Sequence, residues 1–327
     1  MIRQLVRVGA VVATCVAVVT AGTTTASAGN GKTGSGSTAG GDGSEYTVHV
    51  NYTHRGEGSN PQSVKYSAPF TPPVCWYTAM TPDQFKAEIA RRYDNAGQKG
   101  AGTVYEYYNQ VMSDMNTVDY HKGDDGSWWV LTWDDTRLND PGSPWCAYAQ
   151  GWLWEPPGNP PQNRITPDML AQAAYGQMKL PSEGVTLSPP PLNQKVNLPT
   201  YVNFTQADAQ VSVTAQLTEP DGTVIAATVV AEPYRLHVEA GTPDADPRTC
   251  DYTVDGGKLD TAGASCNITY LKASDGGTYP FTADTTWRVW WSPTADVQPM
   301  TGNPTLPSGL TETRQDVTVK EIQAVNR

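Results

Sequence analysis

The sequence has little of the chemistry that most enzymes use. Histidine occurs only four times in 327 residues, as His49, His54, His121 and His237. No Gly-x-Ser-x-Gly segment is present to hold an activated serine, and no Gly-rich dinucleotide fingerprint follows a predicted strand. Because no nucleophile has both a base and an orienting partner, we predict no catalytic residue and no cofactor-binding residue.

Patterns for metal binding are also missing. The cysteines lack the Cys-x-x-Cys or nearby histidine spacing of zinc sites, and no EF-hand loop occurs. His121 lies near Asp119, Asp124 and Asp125, which is compatible with an acid–base or metal cluster. The surrounding segment, DYHKGDDG, is more typical of a solvated turn. No metal site is therefore predicted.

Basic residues are scarce, with 22 lysines and arginines against 33 aspartates and glutamates and a net charge of −11. Arg3 and Arg7 accompany an apolar run over residues 8–21, and Ala26-Ser27-Ala28 follows as a cleavage pattern. We therefore predict that residues 1–28 are a signal peptide and that the protein is secreted. The run is too short to span a membrane, so no stable membrane insertion is expected.

The acidic excess argues against nucleic acid as a partner. Removing residues 1–28 takes away two basic residues and no acidic ones, which leaves 20 against 33 and a net charge of −13. Such a charge repels phosphate backbones. Residues 26–33, ASAGNGKT, match a relaxed phosphate-loop pattern, but the predicted cleavage divides them and GSGS follows instead of a helix. Nucleotide binding is therefore not predicted.

Four cysteines remain after export: Cys75, Cys146, Cys250 and Cys266. An even number in an oxidising compartment predicts disulfides, although four thiols allow three connectivities. Two cysteines lie in each half of the chain, so we expect the pairs Cys75–Cys146 and Cys250–Cys266.

The first half of the chain reads as an α+β module. Residues 29–44 are mostly Gly, Ser, Thr and Ala, which predicts a flexible linker, and residues 45–180 form the Trp-rich module. Two helices begin at Thr81-Pro82-Asp83-Gln84 and Thr166-Pro167-Asp168, where a cap residue precedes proline. The helix between them, at about residues 103–115, is expected to bury Val104, Tyr108, Val111 and Met115.

The second half reads as an all-β module. Residues 181–194 include three consecutive prolines and are predicted to be a Pro-rich linker. From residue 195 to 327 apolar residues alternate with polar ones, as in Val211, Val213, Ala215 and Leu217. Turn signals such as Asp221-Gly222 separate these runs. The pattern predicts an immunoglobulin-like β-sandwich.

Six of the ten tryptophans lie in residues 127–155. Strand parity places Trp129, Leu131 and Trp133 on one face, which we interpret as core. Trp128, Trp152 and Trp154 are the candidate surface for binding, because tryptophans on an exposed strand bind sugar rings or peptides by flat apolar contact.

Two functions are compatible with this stretch. A non-catalytic extracellular binding or envelope-associated role is favoured, with a cell-envelope or extracellular glycan as the candidate partner. The alternative is an extracellular hydrolase acting on glycans, since paired carboxylates can cleave glycosides. The carboxylates that flank the tryptophans are Asp134, Asp135, Asp140 and Glu155.

Five segments are distinctive: TPPVCWY (71–77), ITPDML (165–170), VNLPT (196–200), PDA (243–245) and the terminal VKEIQAVNR (319–327). With them, the chain resembles a family of exported actinobacterial proteins with no established activity, from about residue 72 to residue 327. The resemblance implies secretion and a paired-cysteine layout. Members often carry automatic names such as secreted protein, enoyl reductase or ATP/GTP-binding protein, and no residue pattern here supports the last two.

Overall fold

The computed structural model describes residues 26–27, 45–46, 49–55, 61–63, 73–98, 102–133, 146, 148–181, 185–204, 210–255 and 259–321. Most of the predicted signal peptide and all of the linker at residues 29–44 lie outside them. Within the described part, no helix is both long enough and apolar enough to cross a membrane.

The described chain is rich in antiparallel strands and contains three α-helices. The helices are α1 (Pro82–Gln98), α2 (Gly102–Thr117) and α3 (Pro167–Gln177). The strands are β1 (Ala26–Ser27), β2 (Glu45–Tyr46), β3 (His49–Arg55), β4 (Pro61–Ser63), β5 (Cys75–Met80), β6 (Ser127–Trp133), β7 (Trp152–Glu155), β8 (Lys179–Pro181), β9 (Val185–Ser188), β10 (Gln194–Lys195), β11 (Pro199–Phe204), β12 (Gln210–Thr218), β13 (Val224–Glu239), β14 (Ala245–Asp246), β15 (Thr249–Thr253), β16 (Ile268–Tyr270), β17 (Tyr279–Ser292), β18 (Thr305–Val317) and β19 (Val319–Lys320).

Helices α1 and α3 begin at the cap residues that the sequence predicts. The Thr81 N–H donates to Gln84 Oε1 at 2.8 Å, and the Gln84 N–H donates back to Thr81 Oγ1 at 3.3 Å, which forms a capping box. At α3, the Met169 N–H donates to the cap hydroxyl of Thr166 at 3.3 Å. These caps satisfy N–H groups that the first turn of a helix leaves without partners.

A three-stranded antiparallel sheet, in the order β5-β6-β7, holds the tryptophans. Helix α1 covers one face with Phe85 and Ile89, both fully buried. The other face contains Tyr77, Leu131 and the disulfide Cys75–Cys146. Both faces of β6 are therefore buried.

The larger part of the structure is built on a six-stranded sheet. Its order is β18-β17-β13-β12-β3, with β15 also paired to β13. A register shift between Pro233 and Arg235 divides β13, so that its first half pairs with β12 and its second half with β15. This bulge suits Pro233, which has no N–H to donate to a ladder.

Two different layers cover this sheet. A four-stranded sheet, in the order β14-β16-β11-β9, packs on its β15 side, and the shared core includes Leu236, Ile268, Tyr270 and Phe281. Helix α3 packs on its β12 side through Leu170, Ala174 and Tyr175, and the core there includes Val213, Val229 and Trp287. The two packed sheets form a β-sandwich. The second disulfide, Cys250–Cys266, links β15 of the large sheet to the segment just before β16 of the smaller sheet.

Several contacts join ranges that the sequence assigns to different parts of the chain. Strand β3 pairs with β12 along its whole length, and α3 lies in the core of the large sheet. Within the range predicted as a Pro-rich linker, β9 pairs with β11. The apolar stripe of α3 is stable only against another apolar surface, and the N–H and C=O groups at the edge of β12 need hydrogen-bond partners. In both cases the partner lies on the other side of the predicted boundary. The boundary itself stays a prediction.

Candidate binding surface

Trp128 does not lie on a surface. Its side chain is 4 % exposed, and its ring stacks on Phe85 with centroids 3.9 Å apart. The indole N–H donates to the Tyr120 carbonyl at 2.8 Å. The expectation that Trp128 offers a face to a ligand is therefore incorrect. Helix α1 covers this side of β6 because Phe85 and Ile89 need an apolar partner.

The turn that precedes β6 has an uncommon backbone. Asp119, Tyr120 and His121 have φ values of 45°, 53° and 62°, so three successive residues other than glycine are left-handed. Such a conformation costs free energy that the surrounding structure must offset. Two contacts of Tyr120 offset this cost. Its side chain is buried, with the residue 2 % exposed, and its carbonyl accepts the hydrogen bond of the Trp128 indole N–H.

Trp154 is half-buried, and the same turn covers one of its faces. The His121 ring lies on the indole with centroids 4.5 Å apart and an interplanar angle of 9°. Asp124 orients that ring, since its Oδ2 lies 2.9 Å from His121 Nδ1. The His121–Asp124 pair therefore helps to cover a tryptophan. Among the residues that the structure describes, no group of three or more metal-ligating side chains occurs here or elsewhere.

Trp152 is half-buried, like Trp154, and lies beside two tyrosines of α2. Its half-buried ring lies 6.1 Å from the Tyr107 ring and 6.5 Å from the Tyr108 ring, between centroids. The two tyrosine rings are 5.2 Å apart, and Tyr107 is 54 % exposed. We call these three side chains, Tyr107, Tyr108 and Trp152, the aromatic surface.

Helix α2 contributes Tyr107 and Tyr108 to this surface, and none of its residues is fully buried. The predicted stripe has Tyr108, Val111 and Met115 buried, but they are only half-buried, against the core of α1 and β6. Val104 differs, since it is 45 % exposed. The prediction missed Tyr107. Adjacent tyrosines in a helix point about 100° apart, so when Tyr108 packs inward Tyr107 faces outward.

The edge of the aromatic surface is polar. Burial raises the pKa of the Tyr107 phenol, Tyr108 raises it further, and the Arg92 guanidinium opposes both effects. The phenol is therefore protonated at neutral pH and can donate a hydrogen bond. Arg92 itself is 7 % exposed and bonds Glu88 at 2.7 Å. This buried ion pair lies within α1, between residues four apart.

The candidate carboxylates contribute little to the described site. Asp134, Asp135 and Asp140 lie outside the described residues, as do Trp145 and the side chain of Trp133. Glu155 follows Trp154 on β7, and its Oε2 accepts a hydrogen bond from Asn159 at 2.7 Å. The pairing of carboxylates that a glycosidase needs stays a prediction.

Comparison of the chain with known protein families, with curated proteins and with solved structures finds no match. The resemblance to exported actinobacterial proteins stays a prediction.

Proposed function

We propose that this protein is a secreted, non-catalytic binding protein and that its aromatic surface binds an uncharged extracellular glycan. The observation that carries the proposal is the position of Trp152 beside the 54 % exposed Tyr107 and its neighbour Tyr108. Aromatic rings bury the apolar faces of flat ligands, while phenol hydroxyls supply polar contacts at the rim.

Charge favours a neutral polysaccharide over a polyanion. The chain has a net charge of −11, which disfavours the approach of teichoic acids, nucleic acids and other phosphate polymers. Uncharged sugar rings are not repelled by this negative charge. Association with a cell envelope through its glycan belongs to the same proposal.

Secretion and the immunoglobulin-like type of the sandwich are also parts of this proposal. The disulfides Cys75–Cys146 and Cys250–Cys266 support an oxidising destination. The face-to-face packing of two antiparallel sheets supports the sandwich type.

A sedimentation assay with the uncharged glycans chitin and cellulose tests the binding, and peptidoglycan, whose peptide stems carry carboxylates, is the charged comparison. Tyr107→Ala removes an exposed ring from a helix without buried residues, so folding should be preserved. The matched control is Tyr148→Ala, because Tyr148 is 90 % exposed and lies outside the aromatic surface. We expect Tyr107→Ala to weaken binding roughly two- to tenfold, from about 0.5–1.5 kcal/mol of aromatic contact. Equal binding by both variants, or no binding by the wild type, contradicts the proposal.

The hydrolase alternative has its own readout. Incubation of the wild-type protein with the same glycans should release no reducing ends if the protein only binds. Release that Glu155→Gln abolishes would replace the binding proposal with the enzyme.

A further inference from the structure

A buried carboxyl group joins the large sheet to the sheet that holds the tryptophans. Glu219 begins the tight turn between β12 and β13, where its N–H donates to the Thr223 carbonyl at 2.8 Å. Its own carbonyl accepts from Gly222 at 2.9 Å, and Gly222 has a φ of 91° that suits glycine. The turn therefore has a defined shape before it meets the other sheet.

The turn docks on the edge of β5. Glu219 Oε2 accepts a hydrogen bond from the Ala79 N–H at 3.2 Å. Because β5 is the outer strand of its sheet, this N–H lies on the side away from β6 and needs a partner from elsewhere. A second contact comes from Gln84 on α1, whose side-chain amide donates to the Pro220 carbonyl.

The Glu219 side chain is otherwise poorly solvated. The residue is 2 % exposed, and its Oε1 meets no hydrogen-bond donor among the described residues. The hydroxyl of Thr78, which precedes Ala79 on β5, is also buried and has no hydrogen-bond partner among the described residues. An ionised carboxylate with a single N–H donor is a costly group to bury, whereas the protonated acid is much less so.

We propose that Glu219 is an acid-stabilised latch, in which the protonated carboxyl holds the β12–β13 turn on the edge of β5 and its ionisation loosens this contact.

The charges around Glu219 support this direction. Burial raises the pKa of Glu219 from 4.5 to about 7, the Ala79 N–H lowers it, and Asp221 on the same turn raises it.

Among the described residues, no cationic side chain forms an ion pair with Glu219, and Asp221 is the charged group that affects its pKa. Strand β5 contributes only the Tyr77 phenol, and the first turn of α1 contributes Asp83, which pairs with Lys122 at 2.9 Å. Beside β5, the guanidinium of Arg164 donates to the Pro161 carbonyl.

The sign follows from linkage. The docked state holds its proton more tightly than the open state, so the contact is strongest at a pH below 4.5. Between that pH and about 7, opening should become roughly tenfold more frequent per pH unit. Above about pH 7 both states are ionised, and opening should no longer change.

Hydrogen exchange of the Ala79 amide, corrected for the intrinsic pH dependence of exchange, measures this opening in the full chain. We expect the wild-type opening constant to rise over about two powers of ten across that window. Glu219→Gln should show no such rise, because the amide cannot ionise. An equal rise in both proteins overturns the proposal.

A second measurement does not depend on any variant. The side-chain carboxyl carbon of Glu219 can be followed by carbon-13 NMR in the wild-type protein. A midpoint near 7 is expected, and Asp221→Asn should lower it because a neighbouring negative charge is removed. A midpoint near 4.5 overturns the proposal, even if Glu219→Gln fails to fold.

Discussion

His121 lies flat on Trp154, with ring centroids 4.5 Å apart and planes within 9° of parallel. The contact depends on a left-handed backbone at His121, a conformation that histidine and asparagine tolerate better than most residues. A sequence that looks like a solvated turn thus packs an imidazole against the tryptophan sheet.

Replacing the imidazole should destabilise the protein. His121→Asn preserves the tolerance for a left-handed backbone but removes the ring from Trp154, so we expect a loss of about 0.5–1.5 kcal/mol in the free energy of unfolding. Urea unfolding measures this loss. Asp124→Ala is the matched control, because it removes only the partially exposed carboxylate partner and should cost less. A larger loss for Asp124→Ala would show that the hydrogen bond between His121 and Asp124, and not the ring contact, holds the turn.

Trp128 should behave as a core residue. Trp128→Ala removes the stack on Phe85 and the bond to Tyr120, so the free energy of unfolding should fall by about 3–5 kcal/mol. Thermal or urea unfolding measures the change. Tyr148→Ala, at a residue that is 90 % exposed, should stay within about 0.5 kcal/mol of the wild type. A cost as small as that at Trp128 would contradict its burial.

The disulfide Cys250–Cys266 should stabilise the sandwich. It closes a loop with a sequence separation of 16 residues, so replacing both cysteines by serine should lower the free energy of unfolding by about 3 kcal/mol. Labelling of free thiols in the native protein provides the check on connectivity. Reactive sulfhydryls at these positions, or peptides linking Cys75 to Cys250, would refute the pairing.

His237 should titrate above its ordinary pKa of 6.5. The Asp251 side chain, 2.9 Å from His237 Nδ1, raises the pKa most, partial burial opposes this, and Glu239 raises it further. The charged form therefore favours the folded state at a pH below 6.5, and this contribution is lost as the pH rises through the folded-state value.

Proton NMR of the imidazole measures the His237 midpoint directly. Asp251→Asn should move the midpoint down, because the neutral amide no longer stabilises the imidazolium. A His237 midpoint that Asp251→Asn leaves unchanged would rule out this pair as the cause.

Local patterns predicted several features at the level of single residues. Thr81 and Thr166 cap helices because cap chemistry involves only the next three or four residues. The alternation of Val211, Val213 and Ala215 marks a strand whose apolar face is buried. The division of the cysteines between the halves predicts the two observed disulfides.

Other features depend on partners that are distant in the chain. Strand parity separates the faces of β6, but it does not tell that α1 covers the Trp128 face while Tyr77 and Cys146 pack on the other. Nor does the pattern of β3 show that it pairs with β12, more than 150 residues later along the chain.

The sequence by itself determined the helix starts, the alternating strands and the acidic charge, because each depends on neighbouring residues or on composition. The cysteine pairs were predicted only from their division between the halves of the chain, and the structure confirms them. Only the tertiary structure decided that Trp128 is core, that the exposed Tyr107 lies beside Trp152, and that Glu219 meets Ala79. Exposure and hydrogen-bond satisfaction depend on which layer covers each side chain, and that layer comes from residues far away in sequence.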